Sequence, residues 1–195
     1  MKFDFNQLKS NKGVEIQGPI LLKPKVFKDE RGFFYESWNE EDWKKILKIY
    51  NQPYKSFVQD NHSKSIRGVL RGLHFQKEPF PQGKLIRCIS GEIFDVAVYI
   101  RKNSSTYGKW VGVSLSSDNK NQLWIPKGFA HGFLTLSSNA EVNYKTTNFW
   151  NKDCEDCILW KDKTIAIDWH INEFNIENLL ISSKDKEGKA LNEVD

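Results

Sequence analysis

The sequence predicts an all-β fold, a sandwich or a barrel, and three observations lead to this prediction. Apolar residues recur at every second position over short segments, most clearly between residues 92 and 101. Gly, Asn and Ser residues separate these segments at close spacing, as they do at turns between strands. Aromatic residues make up 13% of the chain, with 13 Phe and 7 Trp, which favours strands over a helical bundle.

The chain begins with predicted strands. Residues 14–27 are typical of strand segments, broken at Gly18-Pro19 and again at Pro24, because both residue types interrupt regular pairing. Residues 29–32 then predict a turn that leads into another strand.

One clear helix is predicted over residues 39–50. Asn39 can cap its first turn, and Asp42 adds a negative charge where the helix dipole favours one. Pro53 follows the predicted end. An apolar stripe at helical spacing is interpreted as the face that packs on the core, and it consists of Trp43, Ile46, Leu47 and Tyr50.

Further strands follow, joined by a Pro- and Gly-rich loop over residues 77–83. A short helix is expected over residues 171–180, and the polar end of the chain is expected to be loose from Glu187 onwards. The predicted strands lie at residues 69–76, 84–89, 92–101, 110–115, 122–126, 128–136 and 141–149.

Length and charge exclude several classes of protein. At 195 residues the chain is expected to form one domain, with its core between about residues 14 and 185. No apolar run is long enough to span a membrane and no signal peptide is apparent, so a cytoplasmic protein is expected. The net charge is +4, and no basic block with interleaved aromatics predicts nucleic-acid binding.

Three cysteines do not predict a disulfide framework. Cys154 and Cys157 form a single C-x-x-C, but acidic neighbours do not suit a redox thiol and no further zinc ligands stand out at suitable spacing. The pair is therefore interpreted as an ordinary loop or strand edge.

Polar residues concentrate between residues 58 and 76, in the run VQDNHSKSIRGVLRGLHFQ. Alternation from Val69 predicts a strand with Arg71 on one face and His74 on the other. An imidazole suits proton transfer near neutral pH. A lone histidine is more often a hydrogen-bonded core residue, but the polar residues around His74 favour a functional role.

The runs QDNHSKS, VLRGLHFQ and DERGFF-x-ES resemble the signature of the dTDP-4-dehydrorhamnose 3,5-epimerases, and the resemblance extends from Asp29 to Asp185. It implies a double-stranded β-helix, the cupin or jelly-roll barrel, with a few short helices in a single domain over residues 1–195. It also implies an isomerase that needs no cofactor. Such an enzyme inverts C3 and C5 of dTDP-4-dehydro-6-deoxy-D-glucose through an enolate, giving dTDP-4-dehydro-L-rhamnose for cell-surface polysaccharides such as the O-antigen of lipopolysaccharide.

By this resemblance, four residues carry the catalysis. His74 corresponds to the general base, and Asp185 to the carboxylate that orients and polarises it. Lys84 corresponds to the lysine near the sugar's C4 oxygen, where a cation stabilises an enolate. Tyr144 corresponds to the proton donor on the opposite face, and a phenol with a reference pKa of about 10 stays protonated.

The resemblance also implies how substrate is bound. Arg31 and Glu36 match nucleotide contacts made across a subunit interface, which implies a homodimer with a shared pocket. Phe149 and Trp150 replace a pair of tyrosines that is frequent in the family, and Trp150 is expected to stack on the ligand. The implied substrate-binding residues are Arg31, Glu36, Gln59, Asn61, Arg71, His131, Glu155 and Lys184.

No metal site is expected, because Gln76 stands where the His-x-His pair of metal-binding cupins would have its second histidine. A site formed by His62, His74 and His131 is an alternative. Other functions also stay open: a single-centre 3- or 5-epimerase, a 3,4-ketoisomerase of a related nucleotide sugar, and a non-catalytic sugar-binding cupin. The sequence leaves open the nucleotide base and the final sugar.

Overall fold

Two β-sheets face each other in this computed structural model, which describes residues 2–194. All strand pairs within the sheets are antiparallel, so the all-β prediction is confirmed. The six-stranded sheet contains, in spatial order, β1 (Phe3–Lys9), β2 (Glu15–Pro24), β10 (Gln122–Ile125), β7 (Lys84–Ser90), β12 (Asn139–Thr146) and β5 (Gln59–Ile66). The five-stranded sheet contains β13 (Glu155–Cys157), β6 (Leu70–Gln76), β11 (Phe129–Thr135), β8 (Glu92–Tyr99) and β9 (Trp110–Ser116).

Few other regular elements accompany the sheets. Strands β3 (Phe27–Asp29) and β4 (Gly32–Phe34) form a separate hairpin. The helices are α1 (Glu40–Ile49), the one-turn α2 (Ser183–Lys186) and a 3₁₀ turn at Leu191–Glu193. Among residues 2–194, no helix has the length and apolar character needed to cross a bilayer.

Three apolar clusters hold the layers together. The central cluster lies between the sheets, since it joins Ile86 and Val142 of the six-stranded sheet to Val111 and Phe133 of the five-stranded sheet. A second cluster covers the outer face of the six-stranded sheet with α1. A third covers the outer face of the five-stranded sheet with the C-terminal segment. Removing these side chains from water is the main driving force for this layered arrangement.

Helix α1 forms where its local signals predicted it. Asn39 accepts a hydrogen bond from the backbone N–H of Asp42 through its side chain, which satisfies one of the free donors of the first turn. Trp43, Ile46 and Leu47 are buried, so the predicted apolar stripe is the face that packs on the sheet.

A bulge changes the predicted alternation in β6. His131 pairs with His74 and Phe133 with Arg71, so two steps along β11 oppose three steps along β6. The extra residue brings Arg71 and His74 to the same face of the sheet, which corrects the prediction that they lie on opposite faces. Gly72 makes this possible: its φ is +123°, and a Cβ there would lie 2.5 Å from the Cα of Gly132.

The start of the core lies earlier than predicted. Strand β1 pairs with β2 and buries Phe3, so the core does not begin at residue 14. Strand β2 also continues through Gly18 and Pro19, where a break was predicted. Its pairing with β1 shifts register between Glu15 and Ile20. Pro19 lies in this irregular stretch, so its missing backbone N–H removes no hydrogen bond between the two strands.

The end of the chain is also different from the prediction. Residues 171–180 contain turns rather than a helix, because His170 and Asn175 adopt positive φ angles of 54° and 50°. The expectation of a loose tail from Glu187 is wrong for the described residues up to 194. Leu191 and Val194 are buried against the five-stranded sheet, and the backbone N–H of Leu191 donates to Asp162.

Candidate active site

A cavity of about 120 Å³ lies where side chains of both sheets meet. Its walls combine charged, amide and aromatic groups. The side chains that line it are Gln59, Asn61, His74, Phe75, Gln76, Gln82, Lys84, Tyr144, Trp150 and Glu155. Seven of these ten are residues that the sequence predicted as catalytic, binding or stacking groups, although ordinary packing would favour apolar side chains at such positions.

His74 and Asp185 form a hydrogen-bonded pair at this cavity. His74 Nε2 lies 2.7 Å from Asp185 Oδ1, and the imidazole is 30% exposed while the carboxylate is 4% exposed. The other carboxylate oxygen accepts the backbone N–H of Gly72 at 3.1 Å. Burial acts to raise the pKa of Asp185, but the hydrogen bonds from His74, Gly72 and Ser182 outweigh it and lower that pKa.

The ionised Asp185 fixes the tautomer of His74. A carboxylate only accepts hydrogen bonds, so Nε2 of the imidazole carries the hydrogen. Nδ1 of the neutral ring then keeps its lone pair and can accept a proton. Helix α2 holds the carboxylate in place, since the backbone N–H of Asp185 donates to the Ser182 side chain at its N-cap.

Lys84 enters the cavity from the facing six-stranded sheet, at the first residue of β7. Burial lowers the pKa of Lys84 to about 8, while the negative charges of Asp95 and Glu155 act against this effect. Near neutral pH the side chain therefore carries a poorly solvated positive charge. Such a charge stabilises a developing oxyanion more strongly than a solvated one.

Tyr144 lies on β12 of the same six-stranded sheet, opposite Asn61 of β5 and Ile86 of β7. Burial raises the pKa of the phenol, while the positive charge of Arg71 acts in the opposite direction. Tyr144 is thus a neutral proton donor near pH 7. Arg71 itself donates to Ser65 Oγ at 3.0 Å and does not line the described cavity.

Amide side chains tie the rim of the cavity to its walls. Gln59 donates to Asn61 Oδ1 at 2.8 Å and accepts the backbone N–H of Trp150 at 2.9 Å. Gln76 accepts the N–H of Asn151 at 2.8 Å, and its amide also donates to the Phe149 carbonyl at 3.2 Å. These bonds hold the loop that carries Trp150, a residue that is 55% exposed beside the cavity.

Glu155 and Lys184 form an ion pair at the edge of the site. Glu155 lines the cavity and is 20% exposed, whereas Lys184 is 52% exposed and points to the outside. The two residues are therefore adjacent, as expected for members of one site. Only the carboxylate of the pair reaches the cavity wall.

His131 is next to His74 in the ladder but has a different environment. Its Nε2 lies 2.9 Å from Asp95 Oδ2 and 3.1 Å from Oδ1, and the two side chains are 9% and 0% exposed. His131 does not line the described cavity. The sequence analysis missed Asp95, although a carboxylate within the apolar strand FDVAV is the signal that could have identified it.

Arg31 and Glu36 do not join the other site residues within one chain. Arg31 follows β3, forms an ion pair with Asp29 and lines a separate cavity at the hairpin. Glu36 binds Lys2 and Asn39. The structure of the single chain therefore leaves these two predicted nucleotide contacts apart from His74.

The three-histidine alternative does not assemble. His62 lies on the exposed face of β5, where Nε2 is 3.1 Å from Glu141, whereas Asn61 and Gln59 point into the cavity. His62 is therefore separated from His74 and His131 by the six-stranded sheet. Cys154 and Cys157 are free thiols, and Cys157 lies on the edge strand β13, which matches the interpretation of the C-x-x-C as a strand edge.

The arrangement is that of an acid–base enzyme on a cupin-type β-barrel. A polarised imidazole on one sheet faces a buried ammonium and a neutral phenol on the other. These groups can remove a proton, stabilise the resulting anion and return a proton from another direction.

The chain belongs to the dTDP-4-dehydrorhamnose 3,5-epimerase family, whose model matches residues 13–193. It is 55% identical over 183 residues to the dTDP-4-dehydrorhamnose 3,5-epimerase of Shigella flexneri, covering 93% of this chain and 95% of the relative. The corresponding Escherichia coli protein is 54% identical over 180 residues, covering 92% and 93%. The crystal structure of the Legionella pneumophila dTDP-6-deoxy-D-glucose-3,5-epimerase in complex with dTDP-4-keto-L-rhamnose superimposes with a TM-score of 0.87, at 44% identity, over 98% of this chain and 95% of that one.

Proposed function

We propose that this protein epimerises dTDP-4-dehydro-6-deoxy-D-glucose at C3 and C5 and produces dTDP-4-dehydro-L-rhamnose, a step towards rhamnose-containing cell-surface polysaccharide. The observation that carries this proposal is the placement of His74 on one sheet and of Lys84 and Tyr144 on the facing sheet, around one cavity. Inversion of a carbon needs proton removal on one face and proton delivery on the other, so acid and base must lie on opposite sides. We also place the protein in the cytoplasm, because its three cysteines are free thiols and that compartment keeps thiols reduced.

In the proposed reaction, His74 Nδ1 takes the proton from the carbon next to the C4 ketone. The electron pair of the broken C–H bond forms a C=C bond and moves the carbonyl electrons onto the C4 oxygen. Lys84 stabilises that enolate oxygen. Tyr144 then donates its phenolic proton to the opposite face of the carbon, which restores the ketone and leaves a phenolate. The phenolate regains a proton from water, and the His74 imidazolium releases its proton to the resulting hydroxide, so that both groups are ready for the next step. The sequence of steps is the same at both centres.

The size of the cavity supports a second part of the proposal. At about 120 Å³ it is smaller than the roughly 300–1,000 Å³ typical of ligand pockets, so it accommodates the sugar end of the substrate alone. The nucleotide must lie outside it. We assign that role to the hairpin of a second copy, with Arg31 and Glu36 as contacts, because Phe33 and Phe34 are 56% and 68% exposed and large exposed apolar groups favour an interface.

A homodimer with exchanged hairpins can be tested by mixing two inactive variants. Arg31→Ala and His74→Ala are each expected to be nearly inactive as pure dimers. After mixing and subunit exchange, a heterodimer has one pocket with both native residues, so activity should return to about a quarter of the wild-type value in the mixed population. An active wild-type monomer in light scattering, or no recovery of activity after proven exchange, would contradict the shared pocket.

The reaction itself is tested by incubating the protein with the 4-keto sugar nucleotide in heavy water and following the product by proton NMR. Loss of the C3 and C5 proton signals is the expected result in heavy water, and the same reaction in ordinary water should give a product with the proton couplings of the L-rhamno configuration. Deuterium at one position alone would identify a single-centre epimerase, and migration of the carbonyl would identify a ketoisomerase. Binding without any exchange would identify a non-catalytic sugar-binding protein.

A further inference from the structure

Cys157 lies beside the His74–Asp185 pair and has no part in the proposed reaction. It is opposite His74 in the β13–β6 ladder and is 6% exposed. One donor atom each from His74, Cys157 and Asp185 lie within 4.8 Å of one another. The three side chains come from three different elements, β6, β13 and α2.

The donor set is one that a borderline-soft transition metal prefers. Imidazole nitrogen, thiolate sulfur and carboxylate oxygen are the ligands of Zn²⁺ in proteins, whereas Mg²⁺ and Ca²⁺ prefer sites made only of oxygen. Tetrahedral bonds of about 2.0–2.3 Å place ligand atoms roughly 3.3–3.8 Å apart. Nε2 of His74 and Oδ1 of Asp185, now 2.7 Å apart, therefore have to separate by about 0.6 Å, whereas the largest spacing allowed here, 4.8 Å, has to contract by about 1 Å.

We propose that His74, Cys157 and Asp185 form an inhibitory site for Zn²⁺, with a water molecule as the fourth ligand. The metal would bind His74 through Nε2, the nitrogen that now faces Asp185. The hydrogen on Nε2 must then move to Nδ1, the nitrogen that is required to accept the substrate proton. The thiol proton is released to solvent, so each metal ion that binds frees one proton at a pH where the imidazole is neutral.

This mechanism explains why the ion inhibits rather than assists. A metal on Nε2 fixes the tautomer in which Nδ1 is a hydrogen-bond donor, and a donor cannot act as a base. Cys157 is 6% exposed beside the pair, and a metal ion that binds its sulfur displaces the thiol proton. The loss of activity rests on the proposed function, whereas binding of the metal does not.

The experiment uses EDTA-treated enzyme that has been freed of the chelator, which is expected to be active. Zn²⁺ in small excess should reduce its activity at least tenfold, and added EDTA should restore it. Changes to outer partners of a metal typically shift affinity by about 10–100-fold, so loss of a direct ligand in Cys157→Ser should raise the half-inhibitory Zn²⁺ concentration by at least about tenfold. Cys154→Ser, three residues away in the same C-x-x-C, is the matched control and should behave as wild type.

Cobalt(II) supplies a readout that does not depend on activity. Wild type and Cys154→Ser should show a sulfur-to-cobalt charge-transfer band with one equivalent of Co²⁺, and Cys157→Ser should not. Cys157→Ala replaces the serine variant if the latter does not fold, as judged by thermal unfolding. Absence of the band in wild type, or equal Zn²⁺ inhibition of wild type and a folded Cys157 variant, would overturn the proposed site.

Discussion

Two His–Asp pairs lie side by side in this barrel and differ mainly in exposure. His74 and His131 are register neighbours on β6 and β11, and each has one ring nitrogen on a buried carboxylate at 2.7 and 2.9 Å. The imidazole of His74 is 30% exposed and lines the cavity. The imidazole of His131 is 9% exposed and does not line the cavity. Pairing with a carboxylate is therefore not what makes a histidine available for proton transfer.

The buried pair, His131 and Asp95, has a different electrostatic role from the exposed pair, His74 and Asp185. The charge of Asp95 acts to raise the pKa of Lys84 against the effect of burial. Asp95 in turn is held by both of its oxygens on His131. We therefore expect the exposed pair to move the proton and the buried pair to keep Lys84 charged. The following predictions test this division of labour.

The largest effect is expected for His74→Ala. Loss of the proposed general base should lower deuterium exchange at both C3 and C5 by about 10⁴-fold, the upper end of the usual range for acid–base catalysis. His131→Asn should keep most of the exchange, because its side chain does not line the cavity. Exchange of substrate protons in heavy water, measured by NMR, compares the two variants directly. If a folded His131→Asn protein loses exchange as completely as His74→Ala, the distinction between the pairs is wrong.

A smaller and more selective effect is expected for Tyr144→Phe. If the exposed pair, His74 and Asp185, abstracts the proton from one side as proposed, it can return deuterium to the same side without help from the facing sheet. Inversion needs the phenol, and its loss should reduce product formation by about 10²-fold while exchange is reduced less. Product and label are followed in the same NMR sample. Equal losses of exchange and inversion would assign the opposite-face proton to another group or to water.

The smallest effect is expected in the pH profile. Lys84 is protonated below its pKa of about 8, so activity should fall as pH rises through that value. Asp95→Asn removes a charge that raises this pKa, so the fall should begin at lower pH. Glu155→Gln removes the lesser charge and should shift the profile in the same direction by less. The pH dependence of kcat/KM checks this order, and an unchanged alkaline limb in Asp95→Asn would argue against the role of the buried pair.

Sequence patterns correctly predicted the elements whose signals lie within one short segment of the chain. Asn39 and the stripe that begins at Trp43 located α1, because a capped amphipathic helix has its signals within about four residues of each other. Strand β8 was equally clear from its alternation. Strand β5 was not predicted as a strand, because its run QDNHSKSI is polar on both faces: one side faces solvent and the other lines a polar cavity.

Family motifs located His74, Lys84, Tyr144 and Asp185 in the sequence, and the structure brings them together. No local signal showed that Arg71 shares a face with His74, since this depends on the bulge opposite β11. The packing of Leu191 likewise depends on Asp162, 29 positions away in the chain. Such features follow from contacts between distant segments, which a pattern within one segment does not contain.

Periodicity, capping and side-chain chemistry are properties of neighbouring residues, and they were enough to predict the all-β class, the helix α1 and the residue types needed for proton transfer. The contacts between distant segments determine which histidine is exposed, that Asp95 holds the other one, and that Cys157 lies beside His74 and Asp185. Exposure and electrostatic environment are set by strands that pair across the chain, and the free energy of a buried charge depends on those distant neighbours.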